Sequence, residues 1–234
     1  MPDQVVIVDY QLGNLYNVLR VCQHVGLKAR ISSAPEGVAD AAAVILPGVG
    51  AFGDAMEFLR TSGLSEALRS VATSGRPLLG VCLGMQLLMS ESEEFGRHEG
   101  LGIVRGTVIR FAASGVKVPQ VGWNGIFRPA VHDEERWRGT LLAGLADGEY
   151  MYFVHSYYPV PEDPSVVLST SRYGETEFCS SLQQGNVTGC QFHPERSGDK
   201  GVEIYRRFAE HMSRTTAAGP EPASRQARAL QAVR

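Results

Sequence analysis

Through the first 90 residues, short apolar runs alternate with stretches in which apolar residues recur every three to four positions. Val5-Val6-Ile7-Val8 is wholly apolar and β-branched, as suits a parallel strand buried on both faces. Lys28–Ile31, Ala42–Leu46 and Leu78–Val81 read as three further strands. Leu15, Val18, Leu19 and Cys22 recur at helical spacing up to Gly26, and Phe52–Leu59 and Leu64–Thr73 carry the same period. The order β-α-β-β-α-β predicts an α/β fold built on a doubly wound, mostly parallel sheet with helices on both faces.

After about residue 95 the texture changes. Glycines punctuate short alternating segments: Gly102–Phe111, Lys117–Trp123, Glu149–Tyr157, Val166–Tyr173, Phe178–Gln183 and Val187–Phe192. These predict hairpins and antiparallel strands, an antiparallel strand-rich second half. Val202–Met212 closes the domain as a helix with Ile204, Tyr205, Phe208 and Met212 on one face. One domain over residues 1–213 is expected, followed by a tail, 214–234, that is disordered or weakly helical.

Net charge is −3, which argues against a nucleic-acid footprint or a polybasic membrane patch. No apolar run approaches the roughly 18–20 residues of a membrane helix, and no basic, apolar leader precedes Gln4. Cys22, Cys82, Cys179 and Cys190 form no Cys-x-x-Cys pair. A reduced, cytoplasmic protein is the expectation.

The chemistry concentrates where predicted strands end, the edge at which open α/β sheets bind ligands. Asp9–Asn14 follows the first strand, Leu46–Gly53 the third, and Gly80-Val81-Cys82-Leu83-Gly84 the fourth. The last is Gly-x-Cys-x-Gly, the cysteine form of a nucleophile elbow, which sets Cys82 at a helix N-terminus that favours a thiolate. A thiolate nucleophile needs a base and an orienter. His193 and Glu195, two apart in a segment read as extended and stopped by Pro194, point the same way and supply both. The triad Cys82, His193, Glu195 points to acyl transfer through a thioester. Leu83 N–H is the elbow's oxyanion donor, and Gly48-Val49-Gly50 offers a second backbone N–H. His155 in its aromatic strand reads as structural or site-lining, while His24, His98, His132 and His211 read as surface residues. A metal at His193 and Glu195 lacks a third ligand at suitable spacing.

Gly-Val-Cys-Leu-Gly-Met-Gln at 80–86 together with Phe-His-Pro-Glu at 192–195 resembles the class I glutamine amidotransferases. Within them, the chain from residue 4 to about 212 is similar to the glutaminase subunits of imidazole glycerol phosphate synthases. Asp9–Leu15, Leu46–Gly53, Lys117–Asn124 and Tyr152–Tyr157 carry that narrower resemblance. It implies hydrolysis of L-glutamine at Cys82 and passage of ammonia to a partner (β/α)8-barrel cyclase subunit. That partner makes imidazole glycerol phosphate and an aminoimidazole carboxamide ribotide. No metal or organic cofactor is implied. The resemblance further implies that Gln86 and backbone near Gly48, Gly50, Ser156 and Tyr157 hold glutamine. The Val49 peptide reorients when the partner is loaded, completing the oxyanion hole with Gly50 and Leu83. Trp123 and Asn124 face the partner, near the ammonia route.

The chain departs from the family pattern at three places. Gln11 replaces a usual Gly, which predicts a different loop backbone; Gln120-Val121 replaces a usual His-Met, and Arg196 a usual Lys. Two alternatives remain: the glutaminase subunit of another class I amidotransferase, or a non-catalytic regulatory subunit of the same fold.

Overall fold

The computed structural model describes residues 4–11, 13–112, 115–129 and 135–218. The elements run β1 (Val5–Val8), α1 (Leu15–His24), β2 (Ala29–Ser32), α2 (Pro35–Ala39), β3 (Ala43–Leu46), α3 (Phe52–Thr61), α4 (Leu64–Thr73), β4 (Leu78–Val81) and α5 (Leu83–Leu87). Then follow β5 (Glu91–Ser92), β6 (His98–Glu99), β7 (Gly106–Arg110), β8 (Gln120–Ile126), β9 (Glu149–His155), β10 (Tyr157–Pro161), β11 (Val167–Tyr173), β12 (Thr176–Gln184), β13 (Val187–Cys190) and α6 (Gly198–Ala218).

The main sheet has the order β11-β12-β13-β4-β3-β1-β2. Five neighbouring strands, β13 to β2, pair in parallel, and β12 and β11 join antiparallel at one edge. Alternation splits each central strand between two cores. Val6, Val8, Val44, Leu46 and Leu78 pack on the face of α2, α3 and α4; Val5, Ile7, Ala43, Ile45 and Leu79 pack on the face of α1 and α6. Both faces are covered, which is why these strands read as continuous apolar runs.

Three expectations change. The helix α2 between β2 and β3 escaped the periodicity reading because it has only five residues, opened by Pro35. Val187–Cys190, read among the antiparallel strands, pairs antiparallel to β12 but parallel to β4, so late strands complete the early sheet. The remaining strands form a smaller four-stranded sheet, β10-β7-β5-β6, and the hairpin β8–β9. The closing helix begins at Gly198 and runs to Ala218, past the expected end at Met212. The expectation for the rest of the tail, as for His132, lies outside the described residues.

Candidate active site

The carboxyl ends of β1, β3, β4 and β13 lie side by side because all four strands run parallel, and each delivers one part of the site. Cys82 follows β4 directly, with φ +54° and ψ −111°. Its N–H donates to Cys190 O at 2.7 Å, tying the turn to β13. That backbone is strained for a residue with a Cβ, and surrounding packing holds it. A Cβ at Gly84 would overlap the Leu46 carbonyl oxygen, so the elbow can press against β3 only with glycine there. The helix that follows, α5, has only five residues. Its dipole is correspondingly small, and the thiolate's main support comes from elsewhere.

That support is His193. Its N–H donates to Tyr152 O at 2.9 Å, and its own carbonyl accepts from Ser197 Oγ at 2.7 Å. Strand β13 stops at Cys190, and Pro194–Arg196 is a 3₁₀ turn, so Glu195 is not extended as the sequence suggested. The turn brings the carboxylate onto the ring all the same: His193 Nδ1 and Glu195 Oε1 are 2.8 Å apart, with both side chains buried. Nε2 has no partner in hydrogen-bond geometry, and the Cys82 sulfur acts on it as a nearby charge. Burial alone would lower the His193 pKa, but the Cys82 thiolate and the Glu195 carboxylate outweigh it and raise it to about 10. The other thiols stay protonated: burial pushes Cys22 and Cys179 up to about 12, and Cys190 up as well.

Cys82 opens onto a cavity of about 270 Å³ shared with Val49, Gly50, Leu83, Gln86, Glu94 and Ser156. This is below the roughly 300–1,000 Å³ of drug-sized pockets and suits a substrate of amino-acid size. Gln86 Nε2 donates to Tyr157 O at 2.9 Å and Gln191 Oε1 at 3.0 Å, so only its Oε1 is left to meet a ligand. Tyr157 O also pairs with His155 Nδ1 at 2.8 Å, and Phe111 N–H occupies Ser156 O at 3.0 Å. His155 packs against Phe111, Phe153 and Phe178, and burial pushes its pKa down to about 4.

The oxyanion donors expected from sequence are all at the cavity. Among the described residues, the N–H groups of Leu83, Val49 and Gly50 hydrogen-bond to no other protein group. Gly48 is closed in: a Cβ there would overlap the hydroxyl of buried Tyr10, which donates to Pro47 O at 2.6 Å. Gly48 therefore shapes the loop and is not among the residues lining the cavity.

Four residues that sequence reasoning did not single out belong to the site. Gln191 Nε2 lies 3.7 Å from the Cys82 sulfur, and its position two before His193 was the available signal. Glu94 lines the cavity and accepts from Phe52 N–H at 2.6 Å; it sits beyond β5, where nothing in the local pattern marks it. Tyr10 and Pro119 complete the set.

Trp123 and Asn124 separate. Trp123 is 55% exposed beside exposed Val121, whereas Asn124 points to the opposite face of β8 and donates to Arg172 O at 2.9 Å. Arg196 stacks 4.2 Å over the Tyr152 ring, which meets Trp123 edge-on, a planar contact lysine would not make. Gln11 keeps a glycine-like backbone, φ +66°, despite its side chain. Among the described residues no group of three or more His, Cys, Asp or Glu is placed to hold a metal, and no helix is long and apolar enough to cross a membrane.

Residues 6–212 match the family described as glutamine amidotransferase class-I. The imidazole glycerol phosphate synthase subunit HisH of Syntrophotalea carbinolica is 46% identical over 88% of this chain and 99% of its own. The subunit of the same name from Moorella thermoacetica is 45% identical over 92% and 98%. The chain belongs to the class-I glutamine amidotransferases, in the HisH family. Solved structures share the fold at lower identity. A glutamine amidotransferase crystal structure superposes with TM-score 0.65 at 22% identity over 89% of this chain and 98% of that one. PurLQS from Thermotoga maritima gives 0.65 at 18% over 91% and 100%.

Proposed function

We propose that the chain is the cytoplasmic glutaminase subunit of an imidazole glycerol phosphate synthase. The observation that carries the chemistry is the His193–Glu195 contact of 2.8 Å, with His193 close enough to Cys82 to feel its charge and Cys82 lining the cavity. The 46% identity to a HisH subunit over 88% of the chain supports the particular synthase.

Glutamine enters with its carboxamide at Cys82. Glu94 is the acidic group in the cavity wall, suited to the α-ammonium, and Gln86 Oε1 offers a second acceptor. The thiolate attacks the carboxamide carbon, and the oxyanion falls to Leu83 N–H and a donor from Val49 or Gly50. The His193 imidazolium gives its proton to the leaving nitrogen, the C–N bond breaks, and ammonia departs from a thioester. Neutral His193 then takes a proton from water, which attacks the thioester and releases glutamate and the thiolate.

The partner is a (β/α)8-barrel cyclase subunit in a heterodimer, which consumes the ammonia. Exposed Val121 and Trp123 on β8 provide an apolar contact surface for it. Glutamine hydrolysis by the chain alone, with the barrel subunit, and with the barrel subunit plus its nucleotide ligand is the deciding assay, with Cys82→Ala as control. Turnover should be low alone and rise at each addition. High activity of the lone chain, or indifference to the barrel, would overturn the synthase assignment. Failure of a glutamine-analogue electrophile to label Cys82 would instead mark a non-catalytic subunit.

A further inference from the structure

Two polar atoms in the deep core beneath the triad have no hydrogen-bond partner: the Tyr205 hydroxyl and Glu195 Oε2. One is a donor and the other a charged acceptor. Tyr205 is fully buried on α6, and the Glu195 side chain is 3% exposed. The packing directs them to the same place. At Gly201, α6 approaches Pro194 so closely that a Cβ would overlap the Pro194 carbonyl. Tyr205 is four residues on, hence on the same helix face, turned toward the 3₁₀ turn that holds Glu195.

We propose that Tyr205 is a positioning residue of the triad: its hydroxyl donates to Glu195 Oε2 across one bridging water, while Oε1 holds His193. The inference deepens the glutaminase reading and rests on it for its catalytic meaning. A buried hydroxyl left unpaired is costly, so it takes the strongest acceptor within reach. The titratable groups facing Tyr205 are Glu195, Cys22 on α1 and Cys190 at the end of β13. Protonated thiols are weak acceptors, and the carboxylate is the only one with formal charge. Burial and the charge of Glu195 both keep the Tyr205 hydroxyl protonated, and so a donor. With both oxygens engaged, Glu195 is fixed in the orientation that sets the His193 ring, and its charged form is stabilised.

Tyr205→Phe removes the hydroxyl and keeps the ring that fills the core. The primary readout is alkylation of Cys82 by iodoacetamide as a function of pH, followed by peptide mass. This reports the thiolate–imidazolium pair without needing glutamine. Without the donor, Glu195 takes up its proton sooner, and the acid limb of the profile should move up by about one pH unit. In the complex with the barrel subunit, kcat for glutamine should fall roughly tenfold at near-constant KM. In a Glu195→Gln background, Tyr205→Phe should produce no such shift, because the carboxylate is gone. An unmoved acid limb in Tyr205→Phe, or a shift of equal size in the Glu195→Gln background, would overturn the proposal. Normal alkylation of Cys82 without glutamine hydrolysis would sink the glutaminase reading and leave this contact standing.

Discussion

The two walls of the cavity are built on different terms. On the elbow wall, Cys82 is 5% exposed and Leu83 2%, Cys82 N–H is bonded across to β13, and Gly84 is pressed against the Leu46 carbonyl. On the loop wall, Val49 is 43% exposed, and the Val49 and Gly50 N–H groups bond to no other protein group among the described residues. Among the described residues, the hydrogen bonds that fasten that loop are at its ends, Tyr10 to Pro47 O and Phe52 N–H to Glu94. Cys82 and the Leu83 N–H are therefore positioned by packing, while the Val49 and Gly50 N–H groups sit on the less constrained side. In a site whose largest catalytic contribution comes from preorganised donors, control is best exerted on the wall that packing does not decide.

The same substitution placed on each wall tests this contrast. Gly50→Ala forces a Cβ onto a residue at φ +109° in the donor loop. The expected outcome is a drop in kcat of about 10²–10³ with little change in urea midpoint. Gly84→Ala should act the other way, costing about 3 kcal/mol of stability by overpacking against Leu46, seen as a lower urea midpoint. If Gly50→Ala mainly lowered stability, or Gly84→Ala left it untouched, the division between the walls would fail.

Two buried histidines sharpen the contrast through pH. His155 belongs to the packed core, with its pKa pushed down to about 4 by burial; in the unfolded chain it titrates near 6.5. The unfolded state therefore binds the proton first as pH falls through 6.5. Stability should be lost between about 6.5 and 4, by up to about 3 kcal/mol. His193 has the opposite sign: its pKa is raised to about 10, so its contribution is whole below 6.5 and fades as pH rises through 10. His155→Phe should flatten the acid side of a stability–pH profile and leave the alkaline side alone. The smallest effect is expected for Tyr10→Phe. Loss of its hydrogen bond to Pro47 O should cost about 1 kcal/mol and loosen one end of the donor loop, measurable as faster amide exchange there.

The parallel strands were legible because each is buried on both faces and has no polar residue to interrupt it. The triad was legible because a tight turn around a nucleophile demands glycines, and because the His-Pro-Glu motif keeps base and orienter adjacent. The reason given for that adjacency was wrong in detail: a 3₁₀ turn, not an extended strand, brings Glu195 to His193. Trp123 and Asn124 were read together as partner-facing, yet strand alternation sends them to opposite faces. At Gln11, which stands where the family usually has glycine, φ is +66°.

The amino-acid sequence by itself determined the α/β alternation, the elbow turn, the His193–Glu195 pairing and the family, because each rests on neighbours within a few residues. Only the tertiary structure decided that β13 slots parallel beside β4 and so brings His193 to Cys82 from the far end of the chain. It also decided that Glu94 walls the cavity, that Gln191 reaches the Cys82 sulfur, and that α6 packs Tyr205 toward the turn of Glu195. Those are contacts between segments far apart in the chain, and local periodicity carries no information about which strand end another strand end will meet.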